Sequence, residues 1–237
     1  MDEQELTAAV KAHALDAGLD LVGILAVAYL DALPPIWVGW TIQAHTEKIR
    51  DHLPEFSSAV VVGYHVWDDL LEAAVRRGRG WHYPGYWALS ARIRDVALNL
   101  ERQGFHAQTR TPLISLKQAA RLAGLGTYGK NALLVTPDFG PWIRLDLVLT
   151  DAPLIPDTAF EEDLCGDCDA CVAACPVGAL TPYTVNADRC LVGVHLGPGT
   201  ADADAALLAR FEPQITPGAH LMCTACQKAC PLGRRRL

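Results

Sequence analysis

Eight cysteines constrain this chain more than any other feature, because all of them fall between residues 165 and 230 and the first 164 residues contain none. One group reads CGDCDACVAACP, which sets Cys165, Cys168, Cys171 and Cys175 ahead of Pro176. The other reads CTACQKACP, which sets Cys223, Cys226 and Cys230 ahead of Pro231, and Cys190 stands alone between the two. Disulfide frameworks belong to short secreted chains in oxidising compartments. The N-terminal stretch MDEQELTAAVKAHALDAG has neither the basic start nor the apolar run of an export signal. Metal ligation is the better reading. Zinc usually takes two Cys-x-x-Cys pairs set apart by a loop, or mixtures with His. Three thiols spaced by two residues and a fourth released at a proline suit an iron–sulfur cubane.

That run has the spacing of bacterial two-cluster ferredoxins, in which the fourth cysteine serves the other cluster. The second run is the same pattern without its leading cysteine, and Cys190 supplies the missing thiol. The exchange rule assigns Cys165, Cys168, Cys171 and Cys230 to cluster one, and Cys175, Cys190, Cys223 and Cys226 to cluster two. Two [4Fe–4S] clusters then use every cysteine. Partial occupancy or a mixed site with zinc is the alternative.

A carrier of electrons needs little beyond such a module, so the residues ahead of it imply a second task. Residues Glu3 to Ala17 carry apolar side chains at helical spacing and stop at Gly18. The stretch LDLVGILAV reads as a buried strand, a short helix is expected over Ala44 to Arg50, and SAVVVGYHVW reads as a second strand. Helices are expected over Asp68 to Arg77, Trp87 to Gln103 and Ser115 to Ala123. Strands are expected near Phe105 to Thr109, Asn131 to Thr136 and Trp142 to Thr150. The proline- and acid-rich stretch from Asp151 to Asp163 marks the boundary between a cofactor-binding unit over 1–155 and a cluster unit over 156–237.

Charge narrows the partners. A net charge of −7 and a pI near 5.6 argue against a general nucleic-acid surface. The basic run at the end, Arg234 to Arg236, reads as a solvated tail. The apolar run from Leu21 to Leu30 is half the ~20 residues that a membrane helix needs. A soluble cytoplasmic protein with no membrane partner is expected.

Two further segments bear on a ligand. GLGTYGKN satisfies the glycine spacing of a dinucleotide site and the GxxxxGK of a phosphate loop. It follows a helix instead of a strand, and Asn131 stands where the phosphate loop needs Ser or Thr. A glycine helix cap is the simpler reading. It leaves Gly124, Gly126, Lys130 and Asn131 free to line a flat ligand. In GRGWHYPGYW, Trp81, His82 and Tyr83 either pack on one another or line a broad cofactor.

The segments RLAGLGTYGKNALLVTPDFGPWIRLDLVLTD, LCGDCDACVAACPVGAL, ADRC and CTACQKACP, in that order, resemble the epoxyqueuosine reductase family. The resemblance implies an α+β fold, in which a nitroreductase-like α/β cobalamin-binding domain is followed by a bacterial ferredoxin-like double [4Fe–4S] module, shared in outline with reductive dehalogenases. It also implies a corrinoid (cobalamin) fed by the nearer cluster, and a ferredoxin or flavodoxin as electron donor. His195, close behind Cys190, is a candidate for the cofactor's surroundings, with packing on the cluster module as the alternative.

Three departures from the family pattern sharpen the expectation. The family's proton-donating aspartate, thirteen residues ahead of its AGLG segment, corresponds to Arg110. An arginine stays charged at any working pH and cannot cycle as an acid, but it can bind an anion. Tyr64, Tyr83, Tyr86 and Tyr128 are candidates to replace the acid. Trp81 replaces a tyrosine, and the helical-repeat region that helps hold tRNA in the family is not matched before Leu237. The leading expectation is a cobalamin-dependent iron–sulfur reductase of a small molecule, with tRNA not expected as substrate. An electron-transfer protein or reductive activator without its own corrinoid, and a flavin-dependent reductase, remain as alternatives.

Overall fold

The computed structural model describes residues 2–39, 42–78, 80–196 and 205–233. The arginines at 234–236 lie outside the described residues. At the centre of the N-terminal part is an antiparallel sheet in the order Leu21–Ala26, Ser58–His65, Ile143–Thr150, Ala107–Gln108. The middle strand, Ser58–His65, is apolar almost throughout because both of its faces are covered. Its period of two sends Val60, Val62 and Tyr64 to one face and Ala59 and Val61 to the other.

Helices Glu3–Asp16 and Pro84–Arg102 cover the first face. The former starts at Asp2, whose side chain and that of Glu5 form a reciprocal capping box. The latter starts with proline in its first turn and buries Leu89, Ile93, Val96 and Leu100 at helical spacing. Each such side chain contributes about 1.5–3 kcal/mol of burial. Helices Val27–Asp31, Ile49–His52 and Leu116–Leu122 cover the second face, where the small Ala119 and Ala120 allow close approach to the sheet. The expected helix over Ala44 to Arg50 is instead a strand, Ala44–His45, and the short helix Ile49–His52. Asp31 starts that helix by accepting the N–H groups of Ile49 and Arg50.

A second antiparallel sheet joins distant parts of the chain, in the order Gln214–Thr216, Ala219–Leu221, Ala73–Arg77, Gly80–His82. Here the helix expected over Asp68 to Arg77 gives way. Only Asp69–Glu72 turns as a 3₁₀ helix, and Ala73–Arg77 is a strand. The register pairs Ala73 with Leu221 and Val75 with Ala219. Partner strands supplied by the C-terminal region thus override a local helical pattern. Residues 151–163, where composition places a boundary, run back along the first sheet. Asp157 N–H donates to Ile24 O, and its carboxylate accepts from Ile24 N–H and Lys11 Nζ.

Candidate functional site

Between the second sheet and the cysteine-rich segments lies a cavity of about 1390 Å³. Ordinary small-molecule sites hold roughly 300–1,000 Å³, so this one suits a larger occupant. Trp81 and Tyr83 reach it from the strand Gly80–His82 and the turn that follows, and Asn131 and Ala132 from the glycine-rich turn. Glu72 and Arg144 form a buried ion pair on its wall, and Gln227 bonds the Glu72 carboxylate from the helix Ala225–Ala229. Burial pushes the Glu72 carboxyl above its usual range even though Arg144 pulls it down. Burial likewise pushes the Tyr83 hydroxyl up against the pull of Arg144.

The cysteines divide around two hollows. Cys175, Cys190, Cys223 and Cys226 line the large cavity, whereas Cys165, Cys168, Cys171 and Cys230 surround a small one shared with Asn131, Val135 and Leu164. Backbone N–H groups face several of these sulfurs. Ala179 N–H donates to Cys175 Sγ at 3.2 Å and Lys130 N–H to Cys165 Sγ at 3.4 Å. Cys190 is served by Val192 and Gly193, Cys223 by Ala225 and Cys230 by Leu232. Such donors stabilise sulfur that carries negative charge, as cluster-bound thiolates do. Among the described residues no three His, Cys, Asp or Glu side chains converge closely enough for one metal ion. Thiols spread around a hollow suit a cluster of several irons better than a zinc bound at ~2.3 Å.

Other expected site residues stand elsewhere. Arg110 is exposed and outside the cavity lining, and its carbonyl accepts from the Gln108 side chain. Tyr64 belongs to the sheet core, 4.7 Å beneath the Arg92 guanidinium, because strand alternation turns it inward. Tyr128 is likewise outside the lining and lies under Lys117, 5.5 Å from its Nζ. His82 is one residue out of phase with Trp81 and turns to Trp87, at a ring separation of 6.1 Å.

Gly124 and Gly126 meet the protein's own backbone instead of a ligand. A Cβ on Gly126 would sit 2.3 Å from the Val135 carbonyl oxygen. Gly124, at φ +78°, closes the helix Leu116–Leu122, with Gly124 N–H on Arg121 O and Leu125 N–H on Ala120 O. The helix-cap reading of this turn therefore holds. Lys130 points to Asp169, away from the large cavity. His195 belongs to the helix Leu191–Leu196, but its side chain falls outside the described residues.

Sequence reasoning passed over Lys117, Glu72, Arg76, Arg144 and Gln227, all on the cavity wall. Arg144 left one legible sign, as a charge at an alternating position of the apolar strand Ile143–Thr150. Lys117 left none. Its Nζ donates to Ala132 O, burial lowers its pKa, and no carboxylate pairs with it among the described residues.

Comparison with known proteins fits this geometry. Residues 164–233 match the family described as a 4Fe-4S double cluster binding domain. An epoxyqueuosine reductase of Synechococcus sp. (strain RCC307) is 31% identical over 96% of this chain and 75% of its own length. The chain belongs to the epoxyqueuosine reductase family. The Bacillus subtilis (strain 168) epoxyqueuosine reductase is 36% identical over 51% of the chain and 30% of that protein. A crystal structure of epoxyqueuosine reductase with an epoxyqueuosine-modified tRNA-Tyr stem loop superposes at a TM-score of 0.71 and 22% identity, covering 97% of this chain and 65% of that one. A reductive dehalogenase, whose structure suggests a mechanism for B12-dependent dehalogenation, superposes at 0.66 and 18% identity, covering 99% of this chain and 33% of that one. The fold of this epoxyqueuosine reductase relative is thus common to both groups. Among the described residues no helix is long and apolar enough to cross a membrane.

Proposed function

We propose that this chain is an iron–sulfur, cobalamin-dependent reductase in which Cys165, Cys168, Cys171 and Cys230 hold one [4Fe–4S] cluster and Cys175, Cys190, Cys223 and Cys226 hold the other. The observation that carries the reading is the shared wall: the second quartet lines the same 1390 Å³ cavity as Trp81, Tyr83 and Arg144. A cluster there would stand directly against whatever fills the cavity. The volume, the aromatic edge and the largely apolar lining fit a corrinoid, which when bound supplies redox-active cobalt as the reductant.

This chain's own residues supply position, charge and protons. Trp81 and Tyr83 offer flat surface to a flat ligand, and Arg76 stands at the rim with its guanidinium 5.8 Å from the Trp81 ring centroid. The Glu72–Arg144–Gln227 group fixes the wall on which the second quartet opens. A solved structure of Bacillus subtilis epoxyqueuosine reductase has its catalytic aspartate loop swung out of the active site. Arg110 also stands on an exposed loop here, but arginine cannot supply a proton. Proton delivery falls to Tyr83, Tyr86 and Lys117, the hydroxyls and ammonium on the cavity wall. Cys168 is exposed, which makes the first cluster the entry point for electrons from a ferredoxin or flavodoxin. The net charge of −7 favours a small substrate over tRNA.

The test is anaerobic reconstitution followed by titration with cob(II)alamin. The reading expects about eight irons per chain and stoichiometric cobalamin binding with an altered EPR spectrum. Intact clusters without cobalamin binding would refute it and leave an electron carrier.

A further inference from the structure

The turn whose letters resemble a nucleotide site has a different use. Lys130, at its end, makes three separate bonds to the cysteine-rich region. Its N–H donates to Cys165 Sγ at 3.4 Å, its carbonyl accepts from Tyr183 N–H at 3.2 Å, and its Nζ donates to Asp169 Oδ1 at 2.8 Å. The Lys130 side chain is 10% exposed, whereas Asp169 is 60% exposed, so the ammonium approaches from the protein side of the loop. Gly129 before it cannot be replaced freely, since a Cβ there would lie 2.5 Å from Val135 Cγ2. Asp163 fixes the other side of Cys165: it accepts Cys165 N–H at 2.9 Å and the Tyr183 hydroxyl at 3.1 Å.

The surrounding charge is one-sided. Glu161, Glu162, Asp163, Asp167 and Asp169 all fall within the segment that carries Cys165 and Cys168. A [4Fe–4S] cluster gains one negative charge when it takes one electron from its donor, and no bond forms or breaks. Its potential therefore follows local charge and the hydrogen bonds made to its sulfurs. Carboxylates oppose that electron, and an ammonium with an N–H on the ligand sulfur favours it.

We propose that Lys130 sets the reduction potential of the first cluster, raising it by offsetting Asp169 and by supporting the Cys165 thiolate so that an external donor can reduce it. The inference rests on the reading that Cys165, Cys168, Cys171 and Cys230 hold a cluster. Lys130 is thus a positioning and tuning residue, since it touches a ligand and not the reacting atoms of a substrate. A unit charge about 10 Å away at an effective dielectric of about 20 moves a one-electron equilibrium roughly tenfold.

The experiment is an EPR-monitored potentiometric titration of the anaerobically reconstituted full chain, with Lys130→Gln, Lys130→Arg and Asp169→Asn alongside the unaltered protein. At a fixed potential Lys130→Gln should lower the reduced-to-oxidised ratio of the first cluster about tenfold, equivalent to about 59 mV for one electron. Asp169→Asn should raise it, and Lys130→Arg should restore it. The second cluster should not move. The opposite signs separate tuning from a mechanical clamp, because both Lys130→Gln and Asp169→Asn break the same salt bridge. Shifts in the same direction, or no shift with full iron content, would overturn the proposal. If Lys130→Gln fails to hold the cluster, Asp169→Asn decides, and the absence of an upward shift overturns it. Failure of the underlying reading looks different: the unaltered protein would lack one cluster signal.

Discussion

The Glu72–Arg144 pair offers the sharpest test of how the cavity wall is held. Arg144→Gln leaves the Glu72 carboxylate, whose side chain is 4% exposed, without its cation. Breaking a buried pair from one side costs roughly 3–5 kcal/mol, because the remaining charge keeps its desolvation penalty. The Arg144 side chain retains 20% exposure, which places the cost at the lower end, about 3 kcal/mol. For a chain of this size each kcal/mol moves Tm by about 2–4 °C, so the expected fall is about 6–12 °C.

The pH dependence follows from the direction of the Glu72 shift. Burial already raises its pKa in the folded protein above 4.5, so it binds a proton more readily folded than unfolded. Its contribution to stability therefore declines as pH rises from the unfolded value through the folded one. Losing Arg144 removes the largest opposing influence and moves the folded pKa further up. The deficit of Arg144→Gln should accordingly shrink as pH falls from neutral toward the raised folded pKa of Glu72, because a protonated Glu72 needs no counter-ion. Differential scanning fluorimetry of anaerobic, cluster-loaded protein reads this directly. Glu72→Gln combined with Arg144→Gln should recover much of the loss, since a neutral pair leaves no stranded charge. A deficit that ignores pH, or a double variant as unstable as the single one, would refute the reasoning.

Other outcomes follow from the same geometry. Cys230→Ser should abolish the EPR signal of the first cluster and spare the second, and Cys175→Ser should do the reverse; loss assigned by sequence neighbourhood would contradict the exchange. Gly126→Ala drives a Cβ to 2.3 Å from the Val135 carbonyl, so thermal melting should fall by an amount equivalent to about 1–3 kcal/mol, with no direct contact to the cavity. In metal-free protein, burial and the neighbouring thiols push the Cys226 thiol up to about 12. Alkylation at neutral pH followed by mass mapping should spare Cys226 while the exposed Cys168 reacts. Lys117→Met removes a desolvated ammonium without a carboxylate partner among the described residues, but also its hydrogen bond to Ala132 O. The two effects oppose, so Tm should change little, while the pH profile of reduction loses the limb that Lys117 supplies.

The sequence alone carried whatever depends on spacing along the chain. Cysteine intervals and the prolines behind them pointed to two clusters and to an exchange of ligands, because a short loop around a cubane leaves few alternative spacings. Apolar periodicity located the central strands and the helices Glu3–Asp16, Pro84–Arg102 and Leu116–Leu122, because their cores alternate at the period of the backbone itself. Tertiary structure decided what depends on partners distant in sequence. Ala73–Arg77 became a strand because Ala219–Leu221 lies beside it, and no local propensity records that neighbour. Arg110, Tyr64 and His82 read as site residues in one dimension, yet strand phase and loop position turn them elsewhere. Lys117, Glu72 and Arg144 are ordinary charges until folding buries them together on one wall. Burial creates their chemistry, and burial is a property of the whole packed chain.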